Sequence, residues 1–142
     1  MLPWQLFAAL VSVPLADQGA KWVLRRALAG RRFGLGPLGC LQLSSATIWL
    51  ARGRRSPRTA ALCATWLLAA FALTMLTAFV PASAWFAGLA LGGALSHVIE
   101  TWMRGCVTDF IRFTFWPTFN LADAAIVAGG IGIAATALLA FV

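Results

Sequence analysis

Acidic side chains are scarce in this sequence of 142 residues, which has four of them against eleven lysines and arginines. Three of the four, Glu100, Asp109 and Asp123, fall between residues 92 and 123, and the fourth is Asp17. Charged groups are costly to keep in apolar surroundings, so the places where they persist are candidates for function. The stretch from residue 92 to residue 123 is therefore the first candidate for a site.

Histidine and cysteine are also sparse. The single histidine, His97, excludes a zinc site built from several histidines. Three cysteines form an odd count without metal-ligand spacing, which favours small buried or interfacial residues: Cys40, Cys63 and Cys106. The serines form no nucleophile elbow, and no glycine loop is suited to cradle a phosphate.

What the chain has in abundance is apolar sequence. The hydrophobic fraction is 61% and the mean hydropathy is +0.86, against roughly 45–50% apolar residues in a soluble domain. Several runs approach or reach the ~20 residues that cross a bilayer. The composition predicts an integral membrane protein of one domain, residues 1–142. The net charge of +7 then favours anionic membrane phospholipid, and not nucleic acid, as a partner.

The apolar runs predict an all-α membrane protein, a bundle of four transmembrane helices. The spans are expected at about residues 2–24, 59–79, 84–100 and 121–142, with a small β-rich or interfacial element at about residues 34–55. Residues 6–16 could pass for a signal peptide but lack a positively charged start, so we expect a retained helix. Residues 102–119 form an aromatic-rich connection typical of the headgroup level.

Asp17 and Lys21 lie four positions apart, so on a helix they face the same side and can pair. One interpretation is a self-neutralising pair near the interface, with Lys21 extended toward the headgroups. The other is a polar pair that points into the bundle and serves a site.

Asn120 and Asp123 open the last helix. Asn120 is a good N-cap, and Asp123 three positions later can accept a backbone donor, so helix capping alone explains both residues. Asp109 has no such explanation, because it precedes Phe110 and Ile111 in an apolar segment. If Asp109 approaches Asp123, one carboxyl would hold a proton while the other acts as a base. Such a pair can activate water for attack on a peptide carbonyl.

A polar face is predicted on the third helix. Gly93, His97, Glu100 and Arg104 share one side at helical spacing. This face directs polar groups toward the end of the bundle that carries Asp109. A buried histidine with satisfied hydrogen bonds is an equally simple interpretation of His97.

At these residues the chain resembles signal peptidase II, the lipoprotein signal peptidase family of bacterial membranes. Three motifs carry the resemblance: Asp17-Gln18-Gly19-Ala20-Lys21, Val107-Thr108-Asp109-Phe110-Ile111 and Phe119-Asn120-Leu121-Ala122-Asp123. The resemblance implies that Asp109 and Asp123 are the catalytic pair, supported by Asn120, Asp17 and Lys21. It also implies an aspartic endopeptidase without metal or cofactor. Its substrate would be a diacylglyceryl-modified prolipoprotein, cut before the lipid-modified cysteine.

The chain departs from the family pattern at three places. His97 stands where the family has asparagine, and Glu100-Thr101 stands where it has Asp-Arg. Arg104, one turn beyond Glu100, could supply the guanidinium. In the first connection, Ser44 begins the segment in which the family has an asparagine. These residues are expected to contact or support the substrate.

Two alternatives stay open at this stage: a catalytically impaired relative that binds lipoproteins or an inhibitor of the family, and a small channel or transporter. Orientation is open as well. Basic residues gather on one side, which the positive-inside rule would place in the cytoplasm. The resemblance instead implies the bacterial inner membrane, with the active site near the outer, periplasmic face. With the basic side facing outward, we hypothesise that arginines hold lipid phosphates around the diacylglyceryl group of the substrate, namely Arg52, Arg54 and Arg55. We expect a monomer.

Overall fold

The structure, a computed structural model, describes residues 4–28, 31–34, 36, 39–46, 57–140 and 142. Within these residues it has four α-helices and three β-strands, in the order α1 (Trp4–Leu28), β1 (Phe33–Gly34), β2 (Gly39–Ala46), α2 (Pro57–Phe79), α3 (Ala84–Arg104), β3 (Val107–Phe113) and α4 (Leu121–Ala140). A mostly helical fold with a small β element after the first helix is confirmed. Much of the predicted interfacial element, residues 35, 37–38 and 47–55, lies outside the described part of the chain.

Among the described residues, three helical segments are long and apolar enough to cross a membrane: Ala60–Phe79, Pro81–Arg104 and Leu121–Ala140. The protein is a multi-pass membrane protein by this measure. The remaining predicted span, about residues 2–24, corresponds to α1, which differs from the others in carrying Asp17, Lys21, Arg25 and Arg26. Its crossing of the membrane stays a prediction.

Helix α3 lies at the centre and packs against α1, α2 and α4. Glycines on its surface bring the neighbouring backbones close. A Cβ atom added at Gly88 would lie 2.5 Å from the carbonyl oxygen of Leu6 in α1, and one at Gly93 would lie 2.5 Å from that of Ala122 in α4. Backbones that approach this closely leave no room for a side chain between them. The glycines therefore hold the first turn of α4 against α3.

The three strands form an antiparallel sheet in the order β1-β2-β3. Strand β3 follows α3 after Gly105, whose φ of 73° is in the left-handed region, and whose N–H donates to the carbonyl of Thr101 at 2.8 Å. This is a usual helix ending for glycine. The sharp turn sends the chain back along the end of the bundle.

Strand β3 lies within the connection that the sequence predicted only as an aromatic segment at the headgroup level. Its residues, Val107 to Phe113, are rich in β-branched and aromatic types that favour strands. Its backbone pairs with β2, from the first connection, and the register places Ser44 opposite Asp109. A partner so distant in sequence gives no local signal, which is why the strand was missed.

Candidate active site

A backbone bridge brings the two predicted motifs together. Ile111 of β3 and Phe119 exchange hydrogen bonds in both directions, at 2.9 and 3.0 Å. This antiparallel bridge, Ile111 to Phe119, folds residues 112–118 back on themselves. Asn120, the next residue, is thereby placed beside Asp109, two residues before Ile111.

Asn120 caps α4 as predicted. Its backbone N–H donates to Oδ2 of Asp123 at 3.0 Å, and the N–H of Asp123 donates to Oδ1 of Asn120 at 3.0 Å. These reciprocal bonds form a capping box, which satisfies two of the free donors at the helix start. The capping function of Asp123 is therefore real, and it leaves Oδ1 of Asp123 available for another partner.

The same asparagine also binds the other aspartate. The side-chain Nδ2 of Asn120 donates to Oδ1 of Asp109 at 2.8 Å. Asn120 itself is fully buried, and its side-chain oxygen accepts from the backbone N–H of Asp123, so its amide is held in one orientation. One side chain thus contacts the carboxyl of Asp109 and the backbone of Asp123; that the two aspartates form a catalytic pair stays a prediction.

The environment of Asp109 favours its protonated form. Burial raises the pKa of this carboxyl above its usual value, and repulsion by Asp123 adds to the increase, although the hydrogen bond from Asn120 opposes it. Burial and a nearby like charge both disfavour the ionised form of a carboxyl. One carboxyl of the pair is therefore prone to hold a proton.

His97 completes this end of the site. Its Nε2 lies 3.3 Å from Oδ1 of Asp123 and 3.3 Å from Oδ1 of Asn120. The imidazole is 24% exposed and the side chain of Asp123 is 37% exposed. The site is therefore open to its surroundings on the His97–Asp123 side.

A fully buried group of charges lies behind the aspartate pair. Lys21 contacts Asp17 at 2.7 Å and Glu100 at 2.6 Å, and all three side chains are 0% exposed. The predicted pairing of Asp17 with Lys21 is confirmed. The interpretation that Lys21 extends toward the headgroups is wrong, because its ammonium group is drawn inward by the two carboxylates.

The guanidinium that contacts Glu100 belongs to a residue of α1. Arg25 Nη2 lies 2.7 Å from Oε1 of Glu100, whereas Arg104, expected to fill this role, is exposed at the end of α3. Sequence reasoning missed Arg25, although it lies four positions after Lys21 and so on the same side of α1. With Asp17, Lys21 and Glu100 it makes a group of two positive and two negative charges.

This charge group also anchors the strand of Asp109. Arg25 donates to the hydroxyl of Thr108 at 2.9 Å, and the backbone N–H of Thr108 donates to Oε2 of Glu100 at 3.2 Å. Since Thr108 directly precedes Asp109, the position of Asp109 depends on both of these hydrogen bonds. The longer side chain of Glu100 serves this purpose by reaching Lys21 with one oxygen and Arg25 with the other.

Asp17 links three helices. It accepts hydrogen bonds from the hydroxyl of Ser96 in α3 at 2.7 Å and from the backbone N–H of Ala122 in α4 at 3.3 Å. The latter donor is another of the free N–H groups at the start of α4. Asp17 therefore supports the helix turn that carries Asp123.

Ser44 reaches the site through the sheet. It is exposed on β2 and lies opposite Asp109 in the antiparallel register. Its side chain is thus accessible from outside the protein. Within the described residues, no group of three or more histidine, cysteine, aspartate or glutamate side chains is arranged to hold a metal ion.

An apolar groove begins at His97. It has a volume of about 380 Å³ and runs between α2, α3 and α4. Its lining is Leu62, Thr65, Trp66, Ala69, Ala94, His97, Val98, Thr101 and Ile126. Among these lining residues, His97 also lies 3.3 Å from Asp123.

Comparison with known proteins identifies the class to which this fold and site belong. The family model described as signal peptidase (SPase) II matches residues 9–139. The chain therefore belongs to the signal peptidase II family, as its motifs predicted.

Individual relatives agree with this assignment. A lipoprotein signal peptidase of Syntrophomonas wolfei is 43% identical over 76 residues, which is 47% of this chain and 51% of that protein. One of Xylella fastidiosa is 51% identical over 49 residues, covering 32% of this chain and 29% of the relative. The chain thus spans about half or less of the length of these curated relatives.

Two solved structures share the fold. Each is described as a bacterial membrane enzyme solved by the in meso method. The one at 2.3 Å resolution gives a TM-score of 0.76 at 22% identity, covering 94% of this chain and 87% of that one. The one at 1.9 Å resolution gives a TM-score of 0.77 at 21% identity, covering 94% and 92%.

Proposed function

We propose that this protein is a membrane aspartic endopeptidase of the signal peptidase II type. It removes the signal peptide from lipid-modified prolipoproteins by cutting before the diacylglyceryl-cysteine. The observation that carries the proposal is the bridging of Asp109 and Asp123 by the buried side chain of Asn120. Membership of the family supports the choice of substrate.

The proposed chemistry needs only the two carboxyls and water. The ionised carboxylate takes a proton from a water molecule as the water oxygen attacks the scissile carbonyl carbon. The protonated carboxyl donates its hydrogen to the carbonyl oxygen, on which negative charge develops. When the intermediate collapses, the C–N bond breaks, the leaving amine takes the proton that the first carboxyl received from water, and a hydroxyl of the intermediate returns its proton to the second carboxyl. The products are a free signal peptide carboxylate and a lipidated cysteine with a new amino group.

The apolar groove and Ser44 are proposed as parts of the substrate site. The groove meets the pair at His97 and its lining is mostly apolar, which suits a signal peptide or an acyl chain entering from the bilayer. Ser44, across the sheet from Asp109, is placed to contact the polar backbone near the cleavage point. His97 and Thr101 would shape the space between these two regions.

We further propose that the chain crosses the bacterial inner membrane four times and places the site near the outer face. In this arrangement α1 joins the three apolar helices as the fourth span. Basic residues at the sheet end would then contact membrane phospholipid. The arginines proposed for this contact, Arg52, Arg54 and Arg55, lie outside the described residues. Because one chain supplies both aspartates, the monomer is sufficient for activity.

The direct test is cleavage of a diacylglyceryl-modified prolipoprotein by the purified protein, beside Asp109→Asn and Asp123→Asn. We expect product from the wild type and a loss of at least 1000-fold in each variant, since each removes one member of an interdependent pair. Gly130→Ala, on the exposed side of α4, is the matched control and should retain activity.

The outcome also separates the alternatives. A wild type that holds the lipidated substrate without cutting it is a binding protein, and the proposal fails. Full activity in either asparagine variant would exclude the aspartic mechanism. Movement of ions or small solutes across proteoliposomes, without cleavage, would support a channel or transporter instead.

A further inference from the structure

The two aspartates receive different hydrogen bonds. Among the donors that the structure describes, Asp123 receives the N–H of Asn120 on Oδ2 and faces Nε2 of His97 with Oδ1. Asp109 receives the side-chain amide of Asn120 on Oδ1. Donors beside a carboxyl favour its ionised form. Asp123 has an N–H on one oxygen and the ring nitrogen of His97 3.3 Å from the other.

The partners of His97 determine which ring nitrogen carries hydrogen. The side-chain oxygen of Asn120 is identified by the backbone N–H of Asp123, which donates to it. Oδ1 of Asn120, which lies 3.3 Å from Nε2 of His97, is thus an acceptor. An acceptor hydrogen-bonded to Nε2 requires a hydrogen on that nitrogen. His97 is a donor here whether its ring is neutral or charged.

We propose that His97 is a positioning residue of the pair: its Nε2–H donates to Oδ1 of Asn120, lies 3.3 Å from Oδ1 of Asp123, and so favours Asp123 as the ionised member. Asp109 is then the carboxyl that carries the proton. The division follows from geometry: the histidine stands on the open side of the site and contacts one carboxyl. The inference rests on the proposed function only in assigning catalytic parts to the two aspartates, with Asp123 as the base and Asp109 as the acid.

Other charged groups near the site are already engaged. Helix α1 supplies Lys21, which is held by Asp17 and Glu100. Helix α3 supplies His97 and Glu100, with Arg104 exposed at its end, while β3 supplies Asp109 itself. The described residues of α2 that line the groove beside His97 are uncharged: Leu62, Thr65, Trp66 and Ala69. Among the described residues of α2 and α3, only His97 makes a direct contact that differs between Asp123 and Asp109.

Nuclear magnetic resonance can test this because the chain has three aspartates and one histidine. Aspartate labelled with carbon-13 at the carboxyl gives three resonances in detergent micelles, and the variants Asp109→Asn and Asp123→Asn assign two of them. On lowering the pH of the wild-type protein, the Asp109 resonance should change to the protonated position before that of Asp123. The reverse order, or a single shared transition, overturns the proposal.

Substitution of the histidine isolates its contribution. His97→Leu removes this N–H, and the ratio of the two ionisation constants should fall about tenfold, since an N–H close to a carboxyl favours its ionised form. His97→Gln keeps an N–H at similar reach and should retain the separation. An unchanged ratio in His97→Leu contradicts the proposal.

The nitrogen-15 shifts of the one histidine give a further readout that needs no variant. A ring with Nε2 unprotonated in the wild type would overturn the proposal even if His97→Leu failed to fold. None of these measurements requires turnover. A protein that binds but does not cut would therefore fail the cleavage assay while still reporting the order of ionisation.

Discussion

Lys21 in α1 and Glu100 in α3 form a direct ion pair of 2.6 Å with neither side chain exposed. Arg25 and Asp17 close the group at its two ends. Buried charges are tolerated when every member is paired, and removal of one partner leaves another charge uncompensated. The site is therefore supported by a buried group of four charges, and removal of any one of these charges should destabilise the protein.

Glu100→Gln should destabilise the protein by about 3–5 kcal/mol, because it leaves Lys21 and Arg25 with only the single carboxylate of Asp17. Thermal unfolding in detergent, followed by circular dichroism, measures the change. Arg104→Gln is the matched control on the same helix and should shift stability by no more than about 0.5 kcal/mol. An equal loss in both variants would contradict the prediction that Arg104 contributes little to the stability that Glu100 provides.

Asp109→Asn should remove activity and yet raise stability at neutral pH. The folded-state pKa of Asp109 is raised above its unfolded value, so ionisation weighs against folding at every pH above the folded pKa. The wild type should gain stability as pH falls through that pKa, and the variant should lack this gain. We expect an increase on the order of 0.5–1 kcal/mol, since the carboxyl is only partly buried. Melting curves at acidic and neutral pH test this prediction. If the stabilities of the wild type and the variant changed with pH in parallel, the prediction would be wrong.

Asn120 has two separable functions, and Asn120→Ser should divide them. Serine is also a good N-cap, so α4 should keep its stability to within a few tenths of a kcal/mol. The donor to Asp109 is lost, however, and cleavage should fall by about 100-fold or more. Asn120→Ala removes the cap as well and should cost roughly 1–2 kcal/mol in addition. Retained activity in the serine variant would mean that Asp109 does not need this amide.

Gly93→Ala should disturb the site without touching a polar group. The added Cβ would lie 2.5 Å from the carbonyl of Ala122, so the start of α4 must move away from α3. Overpacking of this kind costs about 1–3 kcal/mol, and cleavage should fall with it. Gly130→Ala is the control on α4, because nothing lies within 4 Å of its added Cβ, and alanine should stabilise that helix slightly. Melting temperature and cleavage rate, measured on both variants, test whether only Gly93→Ala disturbs the site.

The orientation of the chain can be read from two exposed positions at opposite ends of the helices. Thr114→Cys lies near the sheet and Ala82→Cys lies in the turn before α3, and both positions are exposed. With the native cysteines replaced, a membrane-impermeant thiol reagent added to intact cells should label Thr114→Cys and spare Ala82→Cys. The opposite pattern would place the site in the cytoplasm, as the basic residues alone suggest.

The local parts of this molecule were predictable from the sequence. The apolar runs marked α2, α3 and α4, and the i, i+4 spacing of Asp17 and Lys21 predicted their ion pair. The spacing of Asn120 and Asp123 predicted the capping box. Each of these follows from residues within one turn or one helix, where spacing determines which side chains can meet.

Features that depend on distant partners were not predictable in the same way. Strand β3 is a strand because β2, some sixty residues earlier, pairs with it, and no periodicity within residues 107–113 reveals the partner. Arg104 was expected on Glu100 because it is one turn away, yet Arg25 occupies that place from another helix. The position of His97 on Asp123 likewise depends on how α3 and α4 cross, which the glycines of α3 set only in three dimensions.

The separation in sequence between the paired charges has a consequence for synthesis. Lys21 and Glu100 are 79 positions apart, as are Asp17 and Ser96. Helix α1 is thus made long before the groups that satisfy its polar side chains exist. It lacks the uninterrupted apolar character of the other three helices, and an ionised side chain in lipid has no good partner of its own. Helix α1 must therefore wait for α3, because synthesis of α3 supplies the partners of Lys21 and Asp17.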